Sequence, residues 1–255
     1  FMLKNQHISI VVPIKNEAEN IQKLTREINK ACNKIKFEIL FVNDGSNDNS
    51  INILKILKKE NKNLRILNHN FSKGQSAALK TGIHNSTYEI IVTLDGDCQN
   101  DPKDIPAMLE KFTNHSENDL LMIGGVRVNR KDNLGKKIAS KFGKFFRKHL
   151  LNDNHPDTGC GIKVFHKKLY LLLPYFDHMH RFFPALATRE GALVLQHDVN
   201  HRPRSKGSSN YTNLGRLFVS IYDIIGMIWL LKRYPKNLKI NDCLLYTSPS
   251  PRDIR

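Results

Sequence analysis

Asp95, Asp97 and Gln99 alternate along the stretch Leu94-Asp95-Gly96-Asp97-Cys98-Gln99-Asn100-Asp101-Pro102. In an extended segment alternate side chains face one way, so these three bring oxygen donors together. Such a set suits a hard divalent cation, Mg²⁺ or Mn²⁺, which typically shares its shell with substrate phosphates. Gly96 between the two carboxylates leaves the backbone free to turn. The stretch also reads as a loop capping the next helix, with Asp101 as N-cap and Pro102 at the first helical position. The two readings are compatible.

The elements that position this loop follow from hydrophobic periodicity. Apolar, β-branched runs at Ile8–Ile14, Phe37–Val42, Leu64–Leu67, Tyr88–Leu94 and Leu120–Gly124 predict strands. Between them, helical spacing at Ile21, Leu24, Ile28 and Ala31, at Ile51, Leu54 and Leu57, over Ser76–His84 and over Ile105–Phe112 predicts helices. This alternation predicts an α/β fold, a mostly parallel sheet covered on both faces. Ligands bind such sheets beyond the carboxyl ends of the strands. Glu17, Asp44 and Asp95 all follow strands at that rim, which a merely solvated surface does not explain.

With 255 residues the chain holds one large α/β domain and an appendage. A formal net charge of +16 calls for an anionic partner: nucleic acid, an acidic membrane surface or phosphorylated substrates. Cys32, Cys98, Cys160 and Cys243 show no metal-finger spacing and read as free thiols of a reducing compartment. No signal peptide opens the chain, and Phe1 ahead of Met2 reads as a fragment or conceptual translation.

Residues 127–148 carry nine Lys or Arg and a single acid, Asp132. Ile138, Phe142, Phe145, Phe146 and Leu150 fall on one helical face there. Residues 136–151 therefore read either as a basic amphipathic helix at a membrane interface or as an ordinary surface helix. Gly159 and Gly161 predict a glycine-rich turn that brings the backbone close to a neighbour or ligand before another strand. His178 and His180 lack the companions of a zinc site. A helix over Ala185–Glu190 and a strand over Ala192–Val199 lead to a basic loop, His201–Tyr211, fit to fold over a diphosphate. Leu217–Leu231 is apolar for fifteen residues around Asp223, short of the ~20 that span a bilayer. Within 212–234 this predicts a helix lying in or against a membrane, with Trp229 as a headgroup-level anchor; a helix packed on the domain is the rival. Residues 241–255 depart from the Lys/Asn/Ile bias of the chain and resemble translated sequencing adapter. On that reading the native C-terminus, with any further membrane helices, is missing.

Five segments carry a family resemblance: Val11–Glu17, Val42–Ser46, Phe71–Ala78, Leu94–Pro102 and Arg202–Tyr211. In this order and spacing they make roughly residues 8–211 similar to family 2 inverting glycosyltransferases with a GT-A fold, so that residues 2–211 are expected to form that domain. Within that family the likeness is to the dolichol-phosphate mannosyltransferase and polyprenyl-phosphate glycosyltransferase group. The Q-x-x-R-W motif of processive polysaccharide synthases is absent, and Asn210 replaces the usual Lys before Tyr211.

The resemblance implies a nucleotide-diphosphate sugar donor of the GDP-mannose or UDP-glucose type, a polyprenyl phosphate acceptor, and the cytoplasmic face of a membrane. It implies donor contacts by Pro13, Asn16, Glu17, Asp44, Ser46, Lys73, Gly74, Asp95 and Gly96, and Mg²⁺ or Mn²⁺ held by Asp95, Asp97 and Gln99. Arg127, Arg130, Arg202 and Lys206 are implied as phosphate ligands, and Asp95, Asp97 and Arg202 as catalytic. A lipid phosphate is anionic at neutral pH, so transfer to it needs no strong base, and no candidate base stands out. The competing readings are transfer to a soluble sugar or cell-envelope polysaccharide hydroxyl, and a basic membrane or nucleic-acid-binding adaptor without catalysis. For nucleic acid the chain lacks a reader motif.

Overall fold

The computed structural model describes residues 6–115, 117–118, 120–128, 155–203 and 213–233, with 213–221 described by backbone alone. The predicted helix at 136–151, the basic residues Arg130, Arg204 and Lys206, and the 241–255 tail lie outside the described residues.

The first half alternates β1 (His7–Ile14), α1 (Ala18–Ala31), β2 (Lys36–Asp44), α2 (Ser50–Glu60), β3 (Leu64–His69), α3 (Gln75–His84) and β4 (Ile90–Thr93). Then come α4 (Ile105–Thr113), β5 (Leu121–Arg127), β6 (Lys163–His166), α5 (Lys167–Leu172), α6 (Phe183–Arg189), β7 (Leu193–Val199) and α7 (Asn213–Lys232). The seven strands form one sheet in the order β3-β2-β1-β4-β6-β5-β7. Every pairing is parallel except those of β6, which runs antiparallel to both β4 and β5. The sheet is thus mostly parallel, as the alternation predicts, with one reversed strand inside it.

Period-two alternation along β1 builds both cores at once. Ile8, Ile10, Val12 and Ile14 point to the face covered by α1, α2 and α4, where Ile21, Leu24, Leu54, Met108 and Phe112 pack. Val11 points to the other face, against Ala78 and Ile83 of α3. Leu169 of α5, Leu186 of α6 and Met227 of α7 extend that second layer. Burial on both sides is why the strands are continuous apolar runs.

The acidic loop leaves β4 at the carboxyl edge. Asp101 accepts the backbone N–H of Lys103 at 3.1 Å and Pro102 opens a short 3₁₀ turn into α4, the cap that the sequence predicts. The turn after β6 leads through α5 to a second 3₁₀ turn, Met179–Arg181, beside the same edge. The helix predicted at Ala185–Glu190 is α6, which starts two residues earlier and ends one residue earlier. The apolar run at the C-terminal end is α7, and among the described residues no helix is long and apolar enough to cross a membrane.

Candidate active site

At the carboxyl rim the turns after β1 and β2 are laced together. The Asn16 N–H donates to Ser46 Oγ at 2.9 Å, and Asn16 Oδ1 accepts from the Asn47 N–H at 2.9 Å. The Glu17 N–H donates to Ser50 Oγ at 3.1 Å, while its carboxylate accepts from Asn20 Nδ2 at 2.6 Å. Gly96 sits against this turn, where a Cβ would collide with the Ile14 side chain and crowd the Pro13 carbonyl. Pro13, Asn16, Glu17, Ser46 and Gly96, which the resemblance implies as donor contacts, are therefore neighbours.

Asp44 is buried and already engaged. Its carboxylate accepts from His69 Nδ1 (2.8 Å), Ser72 Oγ (2.7 Å) and the backbone N–H groups of Lys73 and Gly74 (2.9 Å each). Burial works to raise its pKa, but these donors outweigh it and hold the group below the ordinary carboxylate range. Asp44 thus fixes the loop that presents Lys73 and Gly74 at the start of α3. Gly74, at φ +87°, is in a conformation that favours glycine.

The acidic loop is not the extended segment that alternation assumes. Cys98 lies in the left-handed region at φ +59°, and its thiol is buried. The turn carries Gln99 away: its side chain donates to the Arg202 carbonyl at 3.5 Å and its N–H to Asp97 Oδ1 at 3.1 Å. Asp95 and Asp97 stay close enough that the charge of one acts on the other. The Asp95 carboxyl is pushed up to about 6, first by burial and then by Asp97, against the pull of Lys163, Arg127 and the Gln75 hydrogen bond of 2.8 Å. Two oxygen donors in mutual repulsion fit a divalent cation, which would relieve that repulsion. Among the described residues no three His, Cys, Asp or Glu side chains form a metal-holding group. A cation here would take its remaining ligands from substrate oxygens, the habit of Mg²⁺ and Mn²⁺.

Asp95 faces a cleft of about 220 Å³ whose lining includes Gln75, Gly161, Lys163, His180 and Arg181. Gly161 abuts the Asp95 carboxylate so closely that a Cβ there would overlap it; this is the close backbone approach that the glycines predict. Lys163, buried on β6, donates to the Cys160 carbonyl, and burial lowers its pKa. His180 Nδ1 pairs with Ser76 Oγ at 2.7 Å. Burial and then the cations Lys163 and Arg181 push its pKa down to about 3, so its ring is neutral. Lys163, His180 and Arg181 escape a motif reading, though a lysine inside the apolar run Ile162–Phe165 is itself a signal.

The two described arginines implied as phosphate ligands are each paired with a carboxylate. Arg127 forms a two-pronged pair with Asp157, both contacts at 2.7 Å. Arg202 grips Glu27 on α1 at 2.9 and 2.8 Å. It also donates to the carbonyls of Cys98 (3.1 Å) and Asn100 (2.9 Å). Arg202 is a brace for the acidic loop in this geometry, reinforced by its N–H on the Gln99 carbonyl at 2.9 Å.

The family model for glycosyl transferase family 2 matches residues 9–172. Dodecaprenyl-phosphate galacturonate synthase of Rhizobium johnstonii is 32% identical over 236 residues, covering 90% of this chain and 69% of the relative. Undecaprenyl-phosphate 4-deoxy-4-formamido-L-arabinose transferase of Pectobacterium atrosepticum is 30% identical over 223 residues, covering 86% and 67%. Glucosyl-3-phosphoglycerate synthase of Mycobacterium tuberculosis, solved with Mn²⁺, uridine diphosphate and phosphoglyceric acid, superposes with TM-score 0.65 at 15% identity over 91% of this chain and 81% of that one. Mannosyl-3-phosphoglycerate synthase of Rubrobacter xylanophilus gives 0.66 at 12% identity over 92% and 78%. At such identities the likeness concerns the GT-A-like fold alone. With the family model spanning the sheet from β1 through α5, the chain belongs to glycosyl transferase family 2 and is a glycosyltransferase.

Proposed function

We propose that this glycosyltransferase moves a hexose, with inversion, from a nucleotide-diphosphate sugar to a polyprenyl phosphate at the cytoplasmic face of a membrane. The observation that carries the reading is one cleft whose lining joins Asp95 to Lys163 and Arg181, beside a helix with an exposed apolar face. The acids suit a cation and the donor diphosphate, and the basic side suits a second anion. Relatives named for dodecaprenyl and undecaprenyl phosphates support the acceptor class. A donor of the GDP-mannose or UDP-glucose type fits the rim formed by Glu17, Asp44 and Ser46.

In this reaction an oxygen of the acceptor phosphate attacks the anomeric carbon from the side opposite the donor diphosphate. The bond from that carbon to the diphosphate oxygen breaks, and the nucleoside diphosphate leaves with the electron pair. The nucleophile is already ionised, so the chain orients rather than deprotonates it. Asp95 and Asp97 would hold Mg²⁺ or Mn²⁺, which when bound supplies Lewis-acid stabilisation of the leaving diphosphate. Gln75 and Gly161 fix the Asp95 carboxylate, and the Arg202–Glu27 brace fixes the loop.

The membrane side rests on α7. Met227 is buried against the domain, while Tyr222, Ile225 and Trp229 are exposed at 80, 61 and 61%. Their spacing of three and four residues places them on one face. Exposed Leu171, Leu172 and Tyr175 add apolar surface around α5. A helix that packs on the domain and turns an aromatic face outward suits the interfacial rather than the spanning mode.

The test is a panel of nucleotide-diphosphate sugars offered with polyprenyl phosphate and Mg²⁺ or Mn²⁺, scored by label entering the lipid phase. One donor giving lipid-linked product supports the reading. Transfer only to a water-soluble hydroxyl acceptor contradicts it.

A further inference from the structure

Among the described residues, four arginines are committed to a carboxylate. Arg65 pairs with Glu38, Arg127 with Asp157, Arg189 with Glu190 and Arg202 with Glu27. Arg181 differs: it lines the cleft, and its guanidinium makes no hydrogen bond or ion pair with any described residue.

Its backbone is nevertheless firmly placed. The Arg181 N–H donates to the His178 carbonyl at 3.1 Å, and the next N–H, of Phe182, donates to the Met179 carbonyl at 2.8 Å. Met179 is buried, and His180 is clamped on both its N–H and its ring to Ser76 Oγ, at 3.4 and 2.7 Å. The turn that presents Arg181 is thus pinned to the start of α3, next to Gln75 and through it to Asp95.

On its other side the turn meets α7. His178, itself in the left-handed region, lies 3.4 Å from Asp223 of that helix, and the charge of Arg181 also acts on Asp223. Arg181 therefore stands between Asp95 at the acidic end of the cleft and the helix whose outward face is Tyr222, Ile225 and Trp229. An amphiphile with a phosphate at one end and an apolar chain would need a cation in that position. A guanidinium presents a fork matched to phosphate oxygens. Lys163, in the same cleft, adds a second positive charge close to the reacting end.

We propose that Arg181 receives the phosphate of the prenyl phosphate acceptor and aims it at the donor sugar, with Lys163 as its cationic neighbour. This rests on the acceptor class proposed above. The donor diphosphate, by contrast, belongs at the far end with Asp95 and Asp97. The assignment therefore separates the two anions of the reaction by position.

The experiment compares wild type, Arg181→Met and Arg181→Lys in three measurements. These are the KM for a prenyl phosphate, the Kd of the nucleotide sugar, and the slow hydrolysis of donor by water. Losing a charge-assisted hydrogen bond should raise the acceptor KM of Arg181→Met by about tenfold or more. Arg181→Lys should recover part of the loss. The donor Kd should weaken far less than the acceptor KM, and an unchanged melting temperature reports an intact fold. The same shift is expected with a short water-soluble prenyl phosphate, because the contact is to the phosphate rather than to the chain or the membrane. An unchanged acceptor KM in Arg181→Met, or a donor Kd weakened as much as the acceptor, overturns the assignment. Wild type that hydrolyses donor but never uses a prenyl phosphate overturns the acceptor class itself, and this assignment with it.

Discussion

Arg202 and Glu27, 175 positions apart in sequence, meet in a two-pronged ion pair at 2.9 and 2.8 Å that ties α1 to the acidic loop. The same guanidinium holds the carbonyls on either side of Gln99. The loop that carries Asp97 is thereby held by a contact remote from the chemistry.

Removing the brace should loosen the loop before it touches the acceptor. Arg202→Ala is expected to weaken donor binding by about tenfold, with Glu27→Gln following in the same direction by less. In a double-mutant cycle the pair should couple by about 1 kcal/mol, since both side chains are a little over a quarter exposed. Donor titration of the four proteins decides it; purely additive effects would show that the pair is not the brace.

Gly161 gives the sharpest steric prediction. A Cβ there overlaps the Asp95 carboxylate, so Gly161→Ala must displace either the turn or Asp95. Overpacking of this kind costs roughly 1–3 kcal/mol. The expected outcome is a lowered Tm and at least a tenfold loss in kcat/KM, whereas Gly159→Ala, whose Cβ would meet the Arg127 guanidinium only at an ordinary contact distance of 3.4 Å, should cost little. Equal behaviour of the two variants would refute the contact.

Stability should fall with acid through a group far from the site. Glu38, at the start of β2, accepts from Ser9 Oγ (2.6 Å), Arg65 (2.7 Å) and Thr87. Burial would raise its pKa, but these donors hold it below the usual carboxylate value. Its folded pKa is therefore depressed. The stability it contributes is present above the unfolded value near pH ~4 and is lost as pH falls through the folded one. Glu38→Gln should flatten this part of the pH–stability curve measured by urea melts. An unaltered curve would place the acid sensitivity elsewhere.

The outward face of α7 should bind bilayers. Replacing Tyr222, Ile225 and Trp229 together by Ser is expected to reduce flotation with anionic vesicles severalfold without lowering Tm, because none of the three packs on the core. A fall in Tm with unchanged flotation would mean that the face covers protein instead.

The strand–helix alternation was legible because β1, β2 and β4 are buried on both faces and so read as uninterrupted apolar runs. The reversed β6 was not. Four residues, Lys163–His166, carry no mark of direction, and only pairing with β4 and β5 sets it. The site divided in the same way. Asp95 and Asp97 stood out by local spacing. The bend at Cys98, which turns Gln99 toward Arg202, needs the packed neighbour at Asn20, whose carbonyl faces the thiol at 3.5 Å. The fate of a cation is decided by partners distant in sequence. Arg127 and Arg202, which the resemblance implies as phosphate ligands, are paired with carboxylates in the fold, while Arg181, which carries no motif signal beside His178 and His180, lines the cleft.

Asp97 lies just past the strand end as a half-buried loop carboxylate that supports no core, so its loss should remove activity and leave the fold. The decisive measurement is label transferred from nucleotide sugar to polyprenyl phosphate by wild type and Asp97→Ala, with Mn²⁺ or Mg²⁺ and with excess chelator. Product is expected only from wild type with cation present, and the Asp97→Ala protein should melt within a few degrees of wild type. Full transfer by Asp97→Ala, or by wild type in chelator, would contradict it.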